Sequence, residues 1–272
     1  MNHSLITLFA TLALGAASLT ASTQARAQAQ AQLPTRSVPP LICAHRGFWQ
    51  CQEARNCQNS LASLQQAQAH GFWGSEFDVH LTADSVVVVN HDPDFRGIPI
   101  HSSTYRQLLT RRMPNGESIP TLDQYLTQGA QSACMLVLEI KPQPTVEATL
   151  TLAEACRKLL EGHGLLDPSR VMFISFSYDA CKWVAQHLPG FGNQYLEGKV
   201  DPETLHADGI AGLDYHYIAF HKHPDWVQRA HDLGMQVNVW TVDDAAEMRY
   251  LMDLGVDVIT TNKPLLLKSL IQ

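Results

Sequence analysis

Short runs of hydrophobic residues alternate with helix-like segments along most of the chain from Leu41 onward. Runs such as Met135 to Ile140 are short and apolar, as expected of buried strands, whereas Thr145 to Glu161 has apolar residues at helical spacing and ends at Gly162. The predicted strands begin near Leu41, Trp73, Met135, Val171, Gln194, Ile210, Gln236 and Asp257. The pattern therefore predicts a strand–helix unit that is repeated about eight times.

Repeated βα units of this number predict one (β/α)₈ barrel of the TIM type over residues 41–272, with an antiparallel hairpin after the second strand. An open, doubly wound sheet is the alternative. A Gly-x-Gly-x-x-Gly motif after the first strand would favour the open sheet, but the chain has no such motif there.

The stretch from Gly74 to Asp92 has two β-rich halves around a Thr-Ala-Asp-Ser turn. Folded as a hairpin about the two middle turn residues, it places Glu76 opposite His91 and Asp78 opposite Val89. Because side chains alternate along a strand, the two carboxylates share one face. They repel each other unless a cation lies between them or one is protonated, which indicates a hard cation with oxygen ligands. The alternative is a solvated hairpin whose acidic side chains face water.

Polar side chains also lie at the ends of other predicted strands, which is where barrels of this type carry their chemistry. His45 and Arg46 follow the first strand, and the third strand presents Glu139 and Lys141 on one face. Trp240, at the end of the seventh strand, is either a core residue or a wall of a substrate site. Carboxylates, imidazoles and cationic side chains at successive strand ends suit the cleavage of a phosphate ester.

Five motifs together resemble the glycerophosphodiester phosphodiesterase family in their order and approximate spacing. They are His45-Arg46-Gly47, Glu76-x-Asp78-Val79, His91-Asp92, Leu138-Glu139-Ile140-Lys141 and Trp240-Thr241-Val242. The segment from Gly255 to Pro264 is similar to that family too, so the likeness covers roughly Leu41 to Pro264.

The resemblance implies a metal-dependent TIM-barrel hydrolase that releases glycerol 3-phosphate and an alcohol from a small glycerophosphodiester. The roles that it implies are an acid/base pair (His45, His91), phosphate-binding cations (Arg46, Lys141) and a Ca²⁺ or Mg²⁺ site (Glu76, Asp78, Glu139). No Ser, Thr or Cys is paired with either histidine by these motifs, so water or a substrate hydroxyl is expected to attack phosphorus. The likeness favours the hydroxyl, and hence a cyclic phosphate that water opens later.

Two features depart from the family or limit the site. The family often has Glu-Asn-Thr after the first loop, where this chain has Gln58-Asn59-Ser60, so one charge near the expected metal is missing. The segment from Pro93 to Glu117 is too compact to form a separate lid domain. His216, His221 and His223 follow the sixth strand, in a predicted loop that could reach the site.

The N-terminus has the pattern of a secretory signal peptide over residues 1–27, with an apolar run from Leu5 to Leu19 and a small-x-small site at Ala25-Arg26-Ala27. A membrane anchor is the alternative, which the shortness of the run disfavours. Residues 28–40 predict a flexible lead-in. Cleavage removes one of 19 basic and none of 26 acidic residues, so the net charge changes from −7 to −8.

An acidic chain of this kind is a poor candidate for binding nucleic acid, and no second apolar run is long enough for stable membrane insertion. We therefore expect an exported protein, either periplasmic or secreted.

Cys51 and Cys57 lie in one polar loop and could pair in an oxidising compartment. The alternatives in function are a related lipid phosphodiesterase, such as a lysophospholipase D or a phosphatidylinositol-type enzyme, and a non-catalytic secreted ligand-binding barrel.

Overall fold

The computed structural model describes residues 38–272; the predicted signal peptide (residues 1–27) and most of the predicted lead-in (residues 28–40) lie outside this range. The strands are β1 (Leu41–Ala44), β2 (Gly74–Leu81), β3 (Val87–Val89), β4 (Asp94–Phe95), β5 (Ile98–Pro99), β6 (Met135–Ile140), β7 (Val171–Ser175), β8 (Gly192–Tyr195), β9 (Gly212–His216), β10 (Gln236–Trp240) and β11 (Val258–Thr261). The helices are α1 (Leu61–Ala69), α2 (Tyr105–Leu108), α3 (Leu122–Gly129), α4 (Val146–Gly162), α5 (Tyr178–His187), α6 (Pro202–Ala207), α7 (Tyr217–Lys222), α8 (Asp225–Asp232), α9 (Ala245–Leu254) and α10 (Pro264–Ile271).

Eight parallel strands of the described range close into a barrel in the order β1, β2, β6, β7, β8, β9, β10 and β11. Closure is completed at β1, where Leu41 pairs with Val258 of β11 and Cys43 pairs with Gly74 of β2. The predicted (β/α)₈ barrel is therefore confirmed. Because all eight strands run in the same direction, their C-terminal ends meet at one end of the barrel.

The alternation of side chains along each strand separates two packing regions. In β10, Val237 and Val239 belong to a buried cluster with Leu251 and Leu267 of the outer helices, whereas Asn238 is on the other face. A smaller apolar cluster that includes Cys43, Val137, Met172, Ile174, Leu196 and Val258 fills much of the barrel interior. The outer helices thus bury the outward faces of the strands. Polar side chains can therefore lie inside the barrel, at one end.

The antiparallel hairpin of β2 and β3 is present, but the predicted register is wrong by one residue. Val79, not Asp78, pairs with Val89. The turn has three residues rather than two and ends with Ser85 in the left-handed region at φ 62°, a common three-residue hairpin geometry. The backbone N–H of Asn90 still bonds the Asp78 carbonyl at 3.0 Å, so the returning arm stays beside the carboxylates.

One other local expectation changes, and two further features complete the fold. α7 occupies the predicted loop after β9, and its Phe220 is buried in the outer core. Asp244 caps α9 by accepting backbone N–H groups, whereas the preceding Asp243 accepts from Asn262. The segment from Pro93 to Glu117 contains only β4, β5 and α2 as regular elements and packs on a small cluster around Val88.

The pairing of Cys51 with Cys57, which the sequence left open, is not present, and both residues are free thiols. The Cys51 thiol donates to the Phe48 carbonyl at 3.1 Å and the Cys57 thiol donates to the Arg55 carbonyl at 3.6 Å. None of the helices between residues 38 and 272 combines the length and the apolarity that crossing a bilayer requires.

Candidate active site

Three carboxylates converge at the C-terminal end of the barrel. Glu76 and Asp78 project from β2, and Glu139 lies beside Asp78 in the parallel register of β2 with β6. One oxygen from each lies within 4.8 Å of the others, and all three residues are buried. The sequence prediction that these residues form one cluster is therefore correct in its geometry.

Two cationic side chains border the cluster. Lys141 places its Nζ 3.2 Å from Asp78 Oδ1 and 2.9 Å from Glu139 Oε1. The Arg46 backbone N–H donates to Glu76 Oε2 at 2.8 Å, and Arg46 Nε lies 3.8 Å from Asp78 Oδ2. With all groups ionised, three negative charges face two positive ones, so the cluster keeps an excess negative charge in a buried place.

The pKa values of the three carboxyls diverge. Burial, and then the charges of Asp78 and Glu139, raise the pKa of Glu76 well above its usual range. Burial and the Asp78 carboxylate raise the pKa of Glu139 to about 8. Burial acts in the same direction on Asp78, but Lys141, His91 and Arg46 outweigh it and lower the pKa of that carboxyl to about 2. Such splitting is the signature of carboxylates that share too little positive charge.

The donor set fits a divalent cation. Hard cations such as Ca²⁺ and Mg²⁺ prefer carboxylate oxygens. Asp78 Oδ1 and Glu139 Oε1 are buried and make no hydrogen bond of good geometry, although Lys141 lies near both. A cation between the carboxylates would satisfy these oxygens and balance the excess negative charge.

A tight turn after β1 delivers His45 and Arg46 to the cluster. Arg46 and Gly47 are both in the left-handed region, at φ 57° and 77°. A Cβ at position 47 would come within 2.7 Å of the Ser63 backbone carbon in α1, so only glycine fits this contact. The turn thereby brings the Arg46 N–H within hydrogen-bonding distance of Glu76.

A hydrogen-bonded chain determines the tautomer of His45. Asn262 donates through Nδ2 to Asp243 Oδ2 at 2.7 Å, which turns its Oδ1 toward His45 Nδ1 at 2.8 Å. Trp49 Nε1, which can only donate, also bonds this oxygen at 3.0 Å. His45 must therefore carry its proton on Nδ1, leaving Nε2 unprotonated and 4.0 Å from Glu76 Oε2. Burial and the Arg46 charge lower the pKa of His45 to about 4.

His91 has a different environment. Its Nδ1 lies 2.8 Å from Asp92 Oδ1, and its side chain is 36% exposed, compared with 14% for His45. Burial lowers the pKa of His91, whereas the Asp78 and Asp92 carboxylates act in the opposite direction. The neighbouring His80 does not compete for this position, since its Nε2 contacts the His91 carbonyl at 3.1 Å.

One cavity joins these groups to the opposite side of the barrel. Its walls are His45, Arg46, Glu76, His91, Glu139, Ile174, Phe176, Leu196, Asp214, Trp240 and Thr260. Trp240 packs edge-on against Phe176 at 5.5 Å between ring centroids, and its Nε1 donates to the Asp214 carbonyl at 2.9 Å. Trp240 therefore lies on the cavity wall, one of the two positions that the sequence left open. His216 packs against the Trp240 ring, whereas His221 pairs with Glu247 and His223 stacks on Trp226.

Sequence reasoning missed several residues that complete the site. Asn59 was given no role, yet its Nδ2 donates to Asp78 Oδ2 at 2.8 Å. Asn262 and Asp243 orient His45, and Asp214 lies on the cavity wall. Gln58 accepts from Arg46 Nη1 at 2.6 Å, so it holds the guanidinium. Gln58, Asn59 and Asn262 lie in segments that were compared with the family, and this is the signal that the sequence contains for them.

Comparisons with known proteins agree with this geometry. The model of the glycerophosphoryl diester phosphodiesterase family matches residues 45–266. A crystal structure of a glycerophosphodiester phosphodiesterase from Parabacteroides distasonis superposes with a TM-score of 0.83 at 41% identity, covering 86% of this chain and 97% of that one. A glycerophosphodiester phosphodiesterase of Caldanaerobacter subterraneus is 26% identical over 251 residues, covering 85% of this chain and 98% of the relative.

A third similar protein is an Oleispira antarctica phosphodiesterase, whose structure was solved with its product sn-glycerol-3-phosphate. It has a TM-score of 0.74 at 25% identity, and the match covers 86% of this chain and 97% of that one. The family model spans most of the barrel and begins at His45. The chain therefore belongs to the glycerophosphoryl diester phosphodiesterase family and is a phosphoric diester hydrolase that acts on glycerophosphodiesters.

Proposed function

We propose that this hydrolase depends on a divalent cation and releases glycerol 3-phosphate and an alcohol by histidine acid/base catalysis. The observation that carries the proposal is the convergence of Glu76, Asp78 and Glu139 with His45 and His91 around one cavity. The product found in the Oleispira relative, sn-glycerol-3-phosphate, supports the same reaction.

His45 is the proposed general base. Asn262 accepts from its Nδ1, so Nε2 is unprotonated, and the residue lines the cavity. Because the pKa of His45 is lowered to about 4, the ring is neutral at pH 7 and can accept a proton. Acidification below about pH 4 would protonate the ring and remove the base.

His91 is the proposed general acid. The carboxylate of Asp92 lies against its Nδ1 and stabilises the imidazolium form. Its ring also lines the cavity, so it can give a proton to the oxygen of the departing alcohol. Burial lowers the pKa of both histidines, but only His91 has a carboxylate at its Nδ1, whereas His45 has the amide oxygen of Asn262 there. This difference is the basis for assigning the acid role to His91.

Glu76, Asp78 and Glu139 are the residues that would hold Ca²⁺ or Mg²⁺. The cation would supply positive charge to phosphate oxygens as negative charge builds on them. Arg46 and Lys141 border the same carboxylates and add two positive charges of the protein to this end of the barrel. We assign both side chains to the substrate phosphate.

The proposed nucleophile is the glycerol hydroxyl next to the phosphate. His45 takes its proton as the oxygen attacks phosphorus, the bond from phosphorus to the alcohol breaks, and His91 protonates the alcohol. Water then opens the resulting cyclic phosphate, with the two histidines in reversed roles, to give glycerol 3-phosphate. A tethered hydroxyl reacts at a large effective concentration, which compensates for the lack of an activated protein nucleophile.

We also propose that the protein acts after export, in the periplasm or outside the cell. The support is the signal-peptide pattern of residues 1–27 and the acidic net charge.

Replacing either proposed catalytic histidine should lower kcat without unfolding the barrel. We expect His45→Ala and His91→Ala each to reduce kcat by about 10²-fold or more, the scale of general acid/base catalysis. Steady-state kinetics on glycerophosphocholine measures the effect, and circular dichroism checks the fold. His206→Ala, an exposed histidine of α6, is the matched control and should keep full activity. Near-normal kcat in either site variant would remove that histidine from the mechanism.

Asn262 should act through His45. We expect Asn262→Leu to lower kcat by about 10- to 100-fold, the scale for groups that orient a functional imidazole, while KM changes little. In the His45→Ala background the same substitution should change kcat very little, because the imidazole that Asn262 orients is absent. Equal losses in both backgrounds would contradict this role.

Cation binding should displace protons from the cluster. The raised pKa of Glu139, about 8, means that below this pH the cation must replace a proton. Affinity for Ca²⁺ or Mg²⁺ should therefore weaken as the pH falls below about 8. Calorimetric titration in buffers of different ionisation enthalpy measures both affinity and proton release.

Chelation should abolish activity, and Ca²⁺ or Mg²⁺ should restore it. Glu139→Gln should weaken cation binding, whereas Glu147→Gln on the surface of α4 should not. Full activity after exhaustive chelation, with no metal by elemental analysis, would refute the cation site.

A diester without the hydroxyl next to the phosphate should be cleaved much more slowly than its glycerol counterpart. We expect 3-hydroxypropyl phosphocholine to bind like glycerophosphocholine but to react about 10³-fold more slowly or worse, since intramolecular attack is lost. Single-turnover kinetics measures the rates, and phosphorus NMR follows the cyclic phosphate. Equal rates would favour direct attack by water.

A further inference from the structure

Asp214 is a buried carboxyl on the cavity wall opposite the catalytic groups. It projects from β9, is 1% exposed, and its Oδ1 makes no hydrogen bond. The wall of the same cavity also includes Ile174, Leu196 and Trp240. Burying a carboxyl group with an unpaired oxygen lowers the stability of the fold. Because this oxygen lies on a cavity wall, a bound ligand could form the missing hydrogen bond.

The electrostatics of Asp214 differ from those of the carboxylate cluster. Burial alone raises the pKa of Asp214 to about 8, with no contribution from Arg46 or Lys141. The group is therefore mostly protonated at pH 7 and can both donate and accept a hydrogen bond. A neutral acid of this kind suits a hydroxyl group better than a cation.

We propose that Asp214 binds the terminal hydroxyl of the glycerol unit and so selects glycerophosphodiesters over analogues that lack it. The inference rests on the proposed function, because it places the phosphate at His45 and His91. The attacking hydroxyl then lies beside His45, and the remaining carbon of glycerol extends along the same cavity toward Asp214. Trp240 and Leu196 provide apolar wall for its methylene groups.

The position of Asp214 is itself held by neighbouring groups. Its backbone carbonyl accepts from Trp240 Nε1, and its strand pairs in register with β10, where Asn238 lies directly beside it. Asn238 is equally buried and also has an unpaired side-chain oxygen, but it is not part of the cavity wall. Asn238 is therefore a matched control for the effect of removing a buried polar side chain.

The test compares glycerophosphocholine with 2-hydroxypropyl phosphocholine, which keeps the attacking hydroxyl and lacks only the terminal one. We expect the wild-type protein to prefer the first substrate in kcat/KM by about 10- to 100-fold, the scale of one buried hydrogen bond. Asp214→Leu should lose that preference by slowing the first reaction and leaving the second nearly unchanged. Asp214→Asn, which can still bond a hydroxyl, should keep part of it, and Asn238→Leu should keep all of it.

Two outcomes would overturn the inference. One is an equal loss by Asp214→Leu on both substrates, and the other is a fall in its thermal midpoint well beyond that of Asn238→Leu, which would indicate a structural role. Binding of sn-glycerol 3-phosphate and of 2-hydroxypropyl phosphate to the same variants repeats the comparison without turnover. Absent turnover of both diesters by the wild type would refute the proposed function, while the binding preference would still decide the role of Asp214.

Discussion

The structure depends on holding three carboxylates together where water is largely excluded. Glu76, Asp78 and Glu139 converge because β2 and β6 are neighbours in a closed barrel and place these side chains on the inner face. Their mutual repulsion is only partly offset by Arg46 and Lys141. The local free-energy cost must be met by the large apolar clusters between the strands and the outer helices.

This constraint explains the arrangement of the surrounding residues. The turn after β1 adopts left-handed backbone at Arg46 and Gly47, which lets one N–H bond Glu76. Asn59 supplies a second neutral donor, to Asp78. Until a cation binds, the raised pKa values of Glu76 and Glu139 keep protons in the cluster, so the site is prepared for a cation that replaces them.

Much of the fold was readable because its signals are local. The strand Met135–Ile140 was predicted with the bounds that the structure has, and the predicted helix from Thr145 to Glu161 differs from α4 by one residue at each end. Apolar spacing and flanking residues define both. The hairpin register was wrong because one extra turn residue, with Ser85 in the left-handed region, is not marked by a glycine. Asp243 accepts from Asn262, a partner from another strand end, and no local pattern marks this contact.

The sequence alone determined the succession of strands and helices and the set of ionisable residues at strand ends, because both depend on residues that are close together in the sequence. Only the tertiary structure decided how closely these groups approach one another, which tautomer His45 adopts, and that Asp214 faces the cavity with an unpaired oxygen. Those properties depend on distances between residues that are far apart in sequence, such as His45 and Asn262. They are set by closure of the barrel, which no local pattern specifies.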